Sequence, residues 1–160
     1  MNQWQPEQQI TALKYGAYFS LLGCGMFAAI LAKNIFRSLQ WQGENVMAAI
    51  SVLCALSCIF IAIRWAKKCK GGGGWRALFG SYTEEFASEI NRKANSNSFV
   101  SLVLMLFPAH ILGDPPVVKH LGGSAEIWLN LSNFALFMLV IAGFVWGLTI
   151  LFNLCEEAEA

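Results

Sequence analysis

The chain has 160 residues, of which 56% are hydrophobic and only 13% are charged, and its net charge at neutral pH is +1. A soluble domain has about a quarter of its residues charged. This composition therefore leaves too little polar surface to cover a soluble globule. The small net charge also argues against a nucleic-acid partner, because the positive charge is local rather than spread along the chain. The length allows a single membrane domain over residues 1–160.

The first predicted element is an apolar segment from about residue 15 to 36, in which Lys33 is the only charge. The polar residues before it, with Pro6 among several glutamines, predict a short extended or interfacial lead-in. A cleaved signal peptide has a basic front and small residues at its cleavage site, and this segment has neither. We favour a first transmembrane helix that is retained.

A second apolar block follows a short polar turn and covers about residues 46–65. At about 1.5 Å per residue it is long enough to cross a hydrocarbon core of about 30 Å. Its end is marked by the basic residues Arg64, Lys67, Lys68 and Lys70, which is a stop-transfer pattern. Because the turn is short, the two blocks are predicted to form an antiparallel helical hairpin.

Residues 66–97 are predicted to be a cytoplasmic linker followed by an amphipathic helix. Four consecutive glycines, Gly71 to Gly74, have high backbone entropy and no side chains to pack. Ser81 and Glu84 have the spacing of a capping box. Apolar side chains then recur every four residues, at Tyr82, Phe86 and Ile90. We expect this helix, over about residues 82–95, to lie at the membrane surface or to lead directly into the next span.

The second half of the chain contains a short apolar block and a long one. The short block, about residues 98–113, contains Pro108 and His110 and falls somewhat below the length of a full span. It can begin earlier as an extension of the amphipathic helix, continue toward residue 118, or be re-entrant. The long block, about residues 132–154, has no charge in its central part. The expectation is an all-α protein with four transmembrane helices arranged as two antiparallel hairpins.

The distribution of Lys and Arg predicts the orientation in the membrane. With the segment from Arg64 to Lys93 in the cytoplasm, eight basic residues lie inside and three lie outside, as the positive-inside rule requires. Both termini are then cytoplasmic, and we infer a bacterial cytoplasmic membrane. If the short block does not span, the last helix runs the other way and the C-terminus is outside.

Four ionisable residues are expected to lie near the outer side of the membrane: His110, Asp114, His120 and Glu126. Imidazole and carboxylate groups can bind a metal or move a proton, which makes them weak catalytic candidates. However, there is no HExxH-type spacing, and Pro115 ends the helix. The alternative is an interfacial histidine followed by an ordinary loop.

The five cysteines are not expected to carry chemistry. Cys54 and Cys58 lie four residues apart on one predicted helix face, where they could be a redox or metal pair. Buried free cysteine usually behaves as a small hydrophobic residue, and we favour that interpretation. The odd number of cysteines argues against a disulfide framework. We predict no metal and no cofactor.

Two further patterns concern binding and packing. Five basic residues could attract anionic lipid headgroups, each contributing about 1 kcal/mol, or could merely fix the topology: Arg64, Lys67, Lys68, Lys70 and Arg76. Gly143 and Gly147 form a GxxxG pair, which permits close approach of another helix. The first helix has a matching face of small residues at Gly16, Ser20 and Gly23. We therefore expect an internal contact, with a homo-oligomer as the alternative.

One segment carries a family likeness. Glu84, Glu85 and Phe86, then the run Glu89-Ile-Asn-Arg-Lys-Ala94, stand directly before the third apolar block. This resembles small uncharacterised bacterial four-helix membrane proteins in which an acidic pair, an isoleucine and a Lys-Ala pair precede the third helix. The resemblance covers about a dozen residues and the overall topology. It implies a fold and a membrane location but no activity.

Three functional classes follow from these observations. The first is a multi-pass interaction or accessory protein that acts through helix packing and its basic cytoplasmic segment, on anionic lipid or on a membrane protein partner. The second is a small oligomeric transporter or channel, which would need polar residues facing one another within the membrane. The third is a membrane enzyme that uses His110 and Asp114.

Overall fold

The computed structural model describes residues 5–69, 82–112 and 130–158. Within these ranges the protein is all-α and has no strand. The four helices are α1 (Pro6–Ser38), α2 (Glu44–Lys68), α3 (Glu85–Leu112) and α4 (Leu131–Ala158). Three segments are long and apolar enough to cross a membrane: α1, α2 and Leu131–Glu156 of α4.

Helix α1 begins nine residues before the predicted span. The backbone N–H groups of Gln8 and Gln9 donate to the Gln5 carbonyl at 3.0 and 3.2 Å. Pro6 stands at the first helical position, where the N–H that proline lacks would have no partner within the helix. The expected extended lead-in is therefore wrong from Pro6 onward, because proline and the glutamines start the helix instead.

A tight turn joins α1 to α2. Gly43, the residue before α2, has φ of +122°, a conformation that residues with a side chain rarely adopt. The Arg37 guanidinium pairs with the Glu44 carboxylate across the turn, and the rings of Phe36 and Trp41 lie 5.8 Å apart. These contacts fix the direction in which α2 leaves α1.

The predicted amphipathic segment and the short third block form one continuous helix, α3. The helix begins at Glu85, and the Glu84 side chain accepts a hydrogen bond from the Ala87 N–H, so Glu84 acts as the cap. The predicted start near residue 82, with Glu84 inside the first turn, is therefore wrong, because Glu84 itself stands at the cap position. Ser81 lies outside the described residues. Pro108 lies within the last turns without ending the helix.

Helix α1 is the central element of the packing. It lies against α2 on one side and α4 on the other, while α3 packs mainly against α4. A small core joins α1, α3 and α4, formed by Leu13, Ala17, Ala87, Ile90, Ala94 and Ile150. Tyr82 and Phe86, which were predicted to lie on the apolar stripe with Ile90, are partly buried against this core.

The outer helices leave broad apolar surfaces uncovered. Cys58 is the only buried residue of α2, and Leu53 and Phe60 of that helix are 63% and 60% exposed. In the second half of α3, Phe99 and Phe107 are 67% and 68% exposed. An aqueous protein rarely exposes apolar surface on this scale, which agrees with the association with a membrane that the three long apolar helices indicate.

Candidate functional site

Helices α1 and α4 approach each other closely at two glycines of α4. A Cβ atom on Gly143 would lie 2.6 Å from Cys24 Sγ and 3.0 Å from Ser20 Oγ. A Cβ atom on Gly147 would lie 2.8 Å from Leu21 Cγ. The missing side chains therefore allow α1 to approach at these two positions.

The other small residues predicted for this face behave differently from one another. Gly16 lies against the ring of Trp146, because an added Cβ atom would be 3.3 Å from its Cη2 atom. Gly23 has no atom within 4 Å of the equivalent position and faces a cavity. The contact between the two helices thus involves Gly16 and Ser20 but not Gly23.

Hydrogen bonds between the helices follow the same interface. Ser20 Oγ donates to the Gly143 carbonyl at 2.9 Å, and Cys24 Sγ donates to the Val140 carbonyl at 3.3 Å. Farther along α1, Asn34 Nδ2 donates to Asn133 Oδ1 at 3.0 Å. These groups satisfy one another inside an apolar bundle, where an unpaired polar group would be costly.

A buried glutamine connects the start of α1 to the start of α3. Gln9 is 1% exposed. Its Oε1 atom accepts hydrogen bonds from the Thr83 and Glu84 N–H groups at 2.8 and 2.9 Å, and its Nε2 atom donates to Thr83 Oγ1 at 2.8 Å. The first N–H groups of a helix have no partner within the helix. Gln9 supplies that acceptor just ahead of α3 and fixes where α3 begins against α1.

A groove between α1 and α2 is basic at one end. Its cavity volume is about 980 Å³, and the basic residues that line it are Lys14, Arg64 and Lys68. The remainder of the lining is mostly apolar, and the part farthest from the basic end contains Leu22, Leu53 and Leu56. We call this cavity the basic groove.

Only part of the predicted basic cluster lies in this groove. All three of Arg64, Lys67 and Lys68 are exposed, but only Arg64 and Lys68 line the groove. Lys70 and Arg76 lie outside the described residues. Lys14 was not among the predicted headgroup ligands, because it is far from the others in sequence and reaches them only through the packing of α1 on α2.

A second cavity lies on the other side of α1. Its volume is about 630 Å³, and it is lined by residues of all four helices, including Ser20, Asn91, Asn95, Trp65 and Trp146. Asn91 is 6% exposed, and its side chain makes no hydrogen bond with any residue that the structure describes. We call this cavity the asparagine cavity.

The proposed outer cluster cannot be assembled from the described residues. His110 is exposed near the end of α3, and Asp114, His120 and Glu126 lie outside the described ranges. Within those ranges, no group of three or more His, Cys, Asp and Glu side chains is placed to hold a metal ion. All five cysteines are free.

Two ionisable groups near the junction of α1, α2 and α3 have shifted pKa values. Burial, and then the neighbouring Cys69 thiolate, raises the pKa of Tyr82 to about 12. Burial also raises the pKa of the Cys69 thiol, although a side-chain hydrogen bond with Trp65 acts in the opposite direction. Both groups are therefore neutral at physiological pH, as expected where three helices meet.

These features define the class of protein: an all-α chain with three helices apolar enough to cross a membrane, which indicates association with a membrane. Comparison with protein families, with curated proteins and with solved structures gives no match to this chain. Any function must therefore be argued from the helices and cavities themselves.

Proposed function

We propose that the chain is an integral membrane protein whose four helices cross the bilayer as two antiparallel hairpins, and that it acts as an interaction or accessory protein. The observation that carries this proposal is the position of the charged residues. Residues 15–32, 45–63, 94–112 and 131–155 contain no Asp, Glu, Lys or Arg. Each run has at least 18 residues, or about 27 Å of helix, close to the thickness of a hydrocarbon core.

The contacts support this proposal because they align the four uncharged runs. Gly25 of α1 lies beside Cys54 of α2, Cys24 bonds to Val140 of α4, and Ser98 of α3 bonds to the Ala142 carbonyl at 3.1 Å. All of these residues lie within the uncharged runs. One apolar layer can therefore contain all four helices, α3 included.

The charges at the two ends support a cytoplasmic location for both termini. One end carries Lys14, Arg64, Lys67 and Lys68, and Lys93 lies at the same end because it bonds to Asn153 near the end of α4 at 2.8 Å. The opposite end carries Lys33 and the paired Arg37 and Glu44. The more basic end faces the cytoplasm under the positive-inside rule, and the first half of α3 is then an amphipathic extension on that side.

The interaction role is supported by the outer face of α2, which none of the other described helices covers. The buried core is shared by α1, the first half of α3 and α4. Helix α2 is attached mainly through α1, so its outer face remains available. We propose that this face binds a helix of another membrane protein, while the basic end lies at the anionic headgroups.

The test combines topology with crosslinking. In a cysteine-free background, single cysteines at Gly73, Gly122 and Ala160 are labelled in intact cells with an impermeant maleimide, and only position 122 should react. Labelling at 160 but not at 122 would overturn the four-span topology.

For the partner, a photoreactive amino acid is placed at Ile59, which is 56% exposed on α2 and does not line the basic groove, with Leu13, which is fully buried, as the control. A discrete protein adduct at Ile59 alone supports the interaction role, and adducts with lipid alone refute it.

The asparagine cavity favours a second candidate function, a small transporter or channel. Ser20, Asn91 and Asn95 place polar groups together between α1, α3 and α4, toward the basic end of the bundle. Polar side chains inside a membrane bundle are candidates for a solute path.

Uptake of a small neutral solute such as urea into proteoliposomes tests whether the asparagine cavity is part of such a path. Asn91→Leu should abolish uptake, while Asn97→Leu, outside the cavity, should not. Uptake no faster than in protein-free liposomes would refute this candidate.

A further inference from the structure

We propose that the basic groove binds one anionic phospholipid, with its phosphate held by Lys14, Arg64 and Lys68 and an acyl chain lying along the apolar part of the groove. The inference rests on the proposed membrane integration. It goes further because it names a single bound lipid, its chemical class and its place between α1 and α2.

The basic side chains are held toward the groove by aromatic rings. The Lys68 ammonium lies 5.5 Å from the centroid of the Tyr15 ring, and the Arg64 guanidinium lies 5.6 Å from that of Phe60. Tyr15 and Phe60 both line the groove. Cation–π contacts of this length restrict a flexible side chain, so two of the three basic groups are positioned before a ligand arrives.

The charge of the groove is not neutralised by the described part of the chain. No Asp or Glu lines the groove. The ion pair found among the described residues is Arg37 with Glu44, which lies at the opposite end of α1. Three basic groups on two adjacent helices therefore share one opening without an acidic partner. An anion with several acceptor oxygens complements them.

The remaining groove lining selects an anion that carries a hydrocarbon chain. From the level of Lys14 to that of Leu22, α1 advances about 12 Å. Leu22, Leu53 and Leu56 line this deeper part. Inorganic phosphate would leave these apolar side chains uncovered, whereas a phospholipid buries them and keeps its phosphate at the basic end. The cavity volume of about 980 Å³ leaves room for a headgroup and the upper part of a chain.

The test is lipid binding by the full-length protein, measured by native mass spectrometry in a mild detergent with added phosphatidylglycerol or phosphatidylcholine. We expect one phosphatidylglycerol to be retained in preference to phosphatidylcholine, and inorganic phosphate not to displace it. Lys68→Gln should weaken this binding about fivefold, which corresponds to about 1 kcal/mol per basic residue near the surface. Lys67→Gln is the matched control, because it removes the same charge from the same turn but does not line the groove.

A second variant tests the apolar part of the groove. Leu53→Trp partly fills it without changing a charge, and it should reduce retention of phosphatidylglycerol while the circular dichroism spectrum stays helical. Equal losses in Lys67→Gln and Lys68→Gln would overturn the proposal, since they would mean a diffuse charge effect. Equal retention of the two lipids would overturn it as well. If binding fails while the cysteine labelling pattern is as expected, the lipid site is wrong and the membrane topology stands.

Discussion

Replacing Gly147 with alanine tests whether the contact between α1 and α4 determines the stability of the bundle. The added Cβ atom would lie 2.8 Å from Leu21 Cγ, 3.0 Å from Leu21 Cδ2 and 3.1 Å from the Ala17 carbonyl oxygen. Leu21 Cγ is the branch point of its side chain, and the carbonyl belongs to the helix backbone. The carbonyl cannot move without shifting α1, and Leu21 Cγ moves only if its side chain changes rotamer, so either the two helices separate slightly or Leu21 repacks.

Two opposing effects decide how much Gly147→Ala changes the free energy of unfolding. Overpacking a close contact costs about 1–3 kcal/mol, whereas alanine is better than glycine in a helix interior by about 1 kcal/mol. Gly147→Ala should therefore be destabilising by about 1 kcal/mol on balance. Gly23→Ala is the matched control, because it gains the same helix propensity and its Cβ atom meets nothing within 4 Å. It should be neutral or stabilising by up to about 1 kcal/mol.

The assay is thermal unfolding in a mild detergent, followed by the loss of the monodisperse peak in size-exclusion chromatography. For a chain of this size, about 1 kcal/mol corresponds to a Tm shift of about 2–4 °C. Gly147→Ala should lower the Tm and Gly23→Ala should not. In a Leu21→Ala background, Gly147→Ala should cost less stability than in the native chain, because the shortest contact is already absent. A Tm of Gly147→Ala equal to that of Gly23→Ala would refute the close contact between α1 and α4.

Three further predictions concern polar groups. Gln9→Leu removes the acceptor for the Thr83 and Glu84 N–H groups just ahead of α3, at a cost of about 1–3 kcal/mol; hydrogen exchange should accelerate at these two amides but not in α4, and unchanged exchange would contradict the role of Gln9. Asn34→Leu breaks the bond with Asn133, and a double-mutant cycle should give a coupling of about 0.6 kcal/mol, whereas zero coupling would exclude the bond. Because partial burial raises the pKa of the Cys69 thiol, its thiolate fraction at pH 7.5 is small, and iodoacetamide should alkylate it more slowly than the exposed Cys155; equal rates in single-cysteine variants would contradict the raised pKa of Cys69.

Hydropathy alone predicts the all-α class and the positions of the apolar segments. Runs without charged residues can be identified directly in the sequence. In an apolar environment such a run forms a helix, because a helix pairs its own backbone N–H and C=O groups. The ends are less predictable because a helix continues beyond its apolar part. Helix α1 starts at Pro6 rather than near residue 15, and a hydropathy pattern contains no signal for the polar turns that precede the span.

The sites are harder to predict because they depend on contacts between distant parts of the chain. In the sequence, Gln9 is one of several polar residues before the first apolar segment. It becomes buried only because α3 packs against the start of α1. In the sequence, Lys14 is an isolated charge. It lies in the same groove as Arg64 and Lys68 because of the way α1 packs on α2. Asn91 lies in a charged segment that favours exposure. In contrast, the pair Gly143 and Gly147 can be predicted from the sequence, because both glycines belong to one helix and a spacing of four places them on the same face.

The central position of α1 has a consequence for how the protein is made. Ser20 and its hydrogen-bond partner Gly143 are separated by 123 residues. At a synthesis rate of about 5–20 residues per second, α1 leaves the ribosome on the order of 10 s before α4 exists. During that interval its small-residue face has only α2 and α3 as neighbours from its own chain. A nascent chain stalled before α4 should therefore be the species that quality-control proteases recognise most readily.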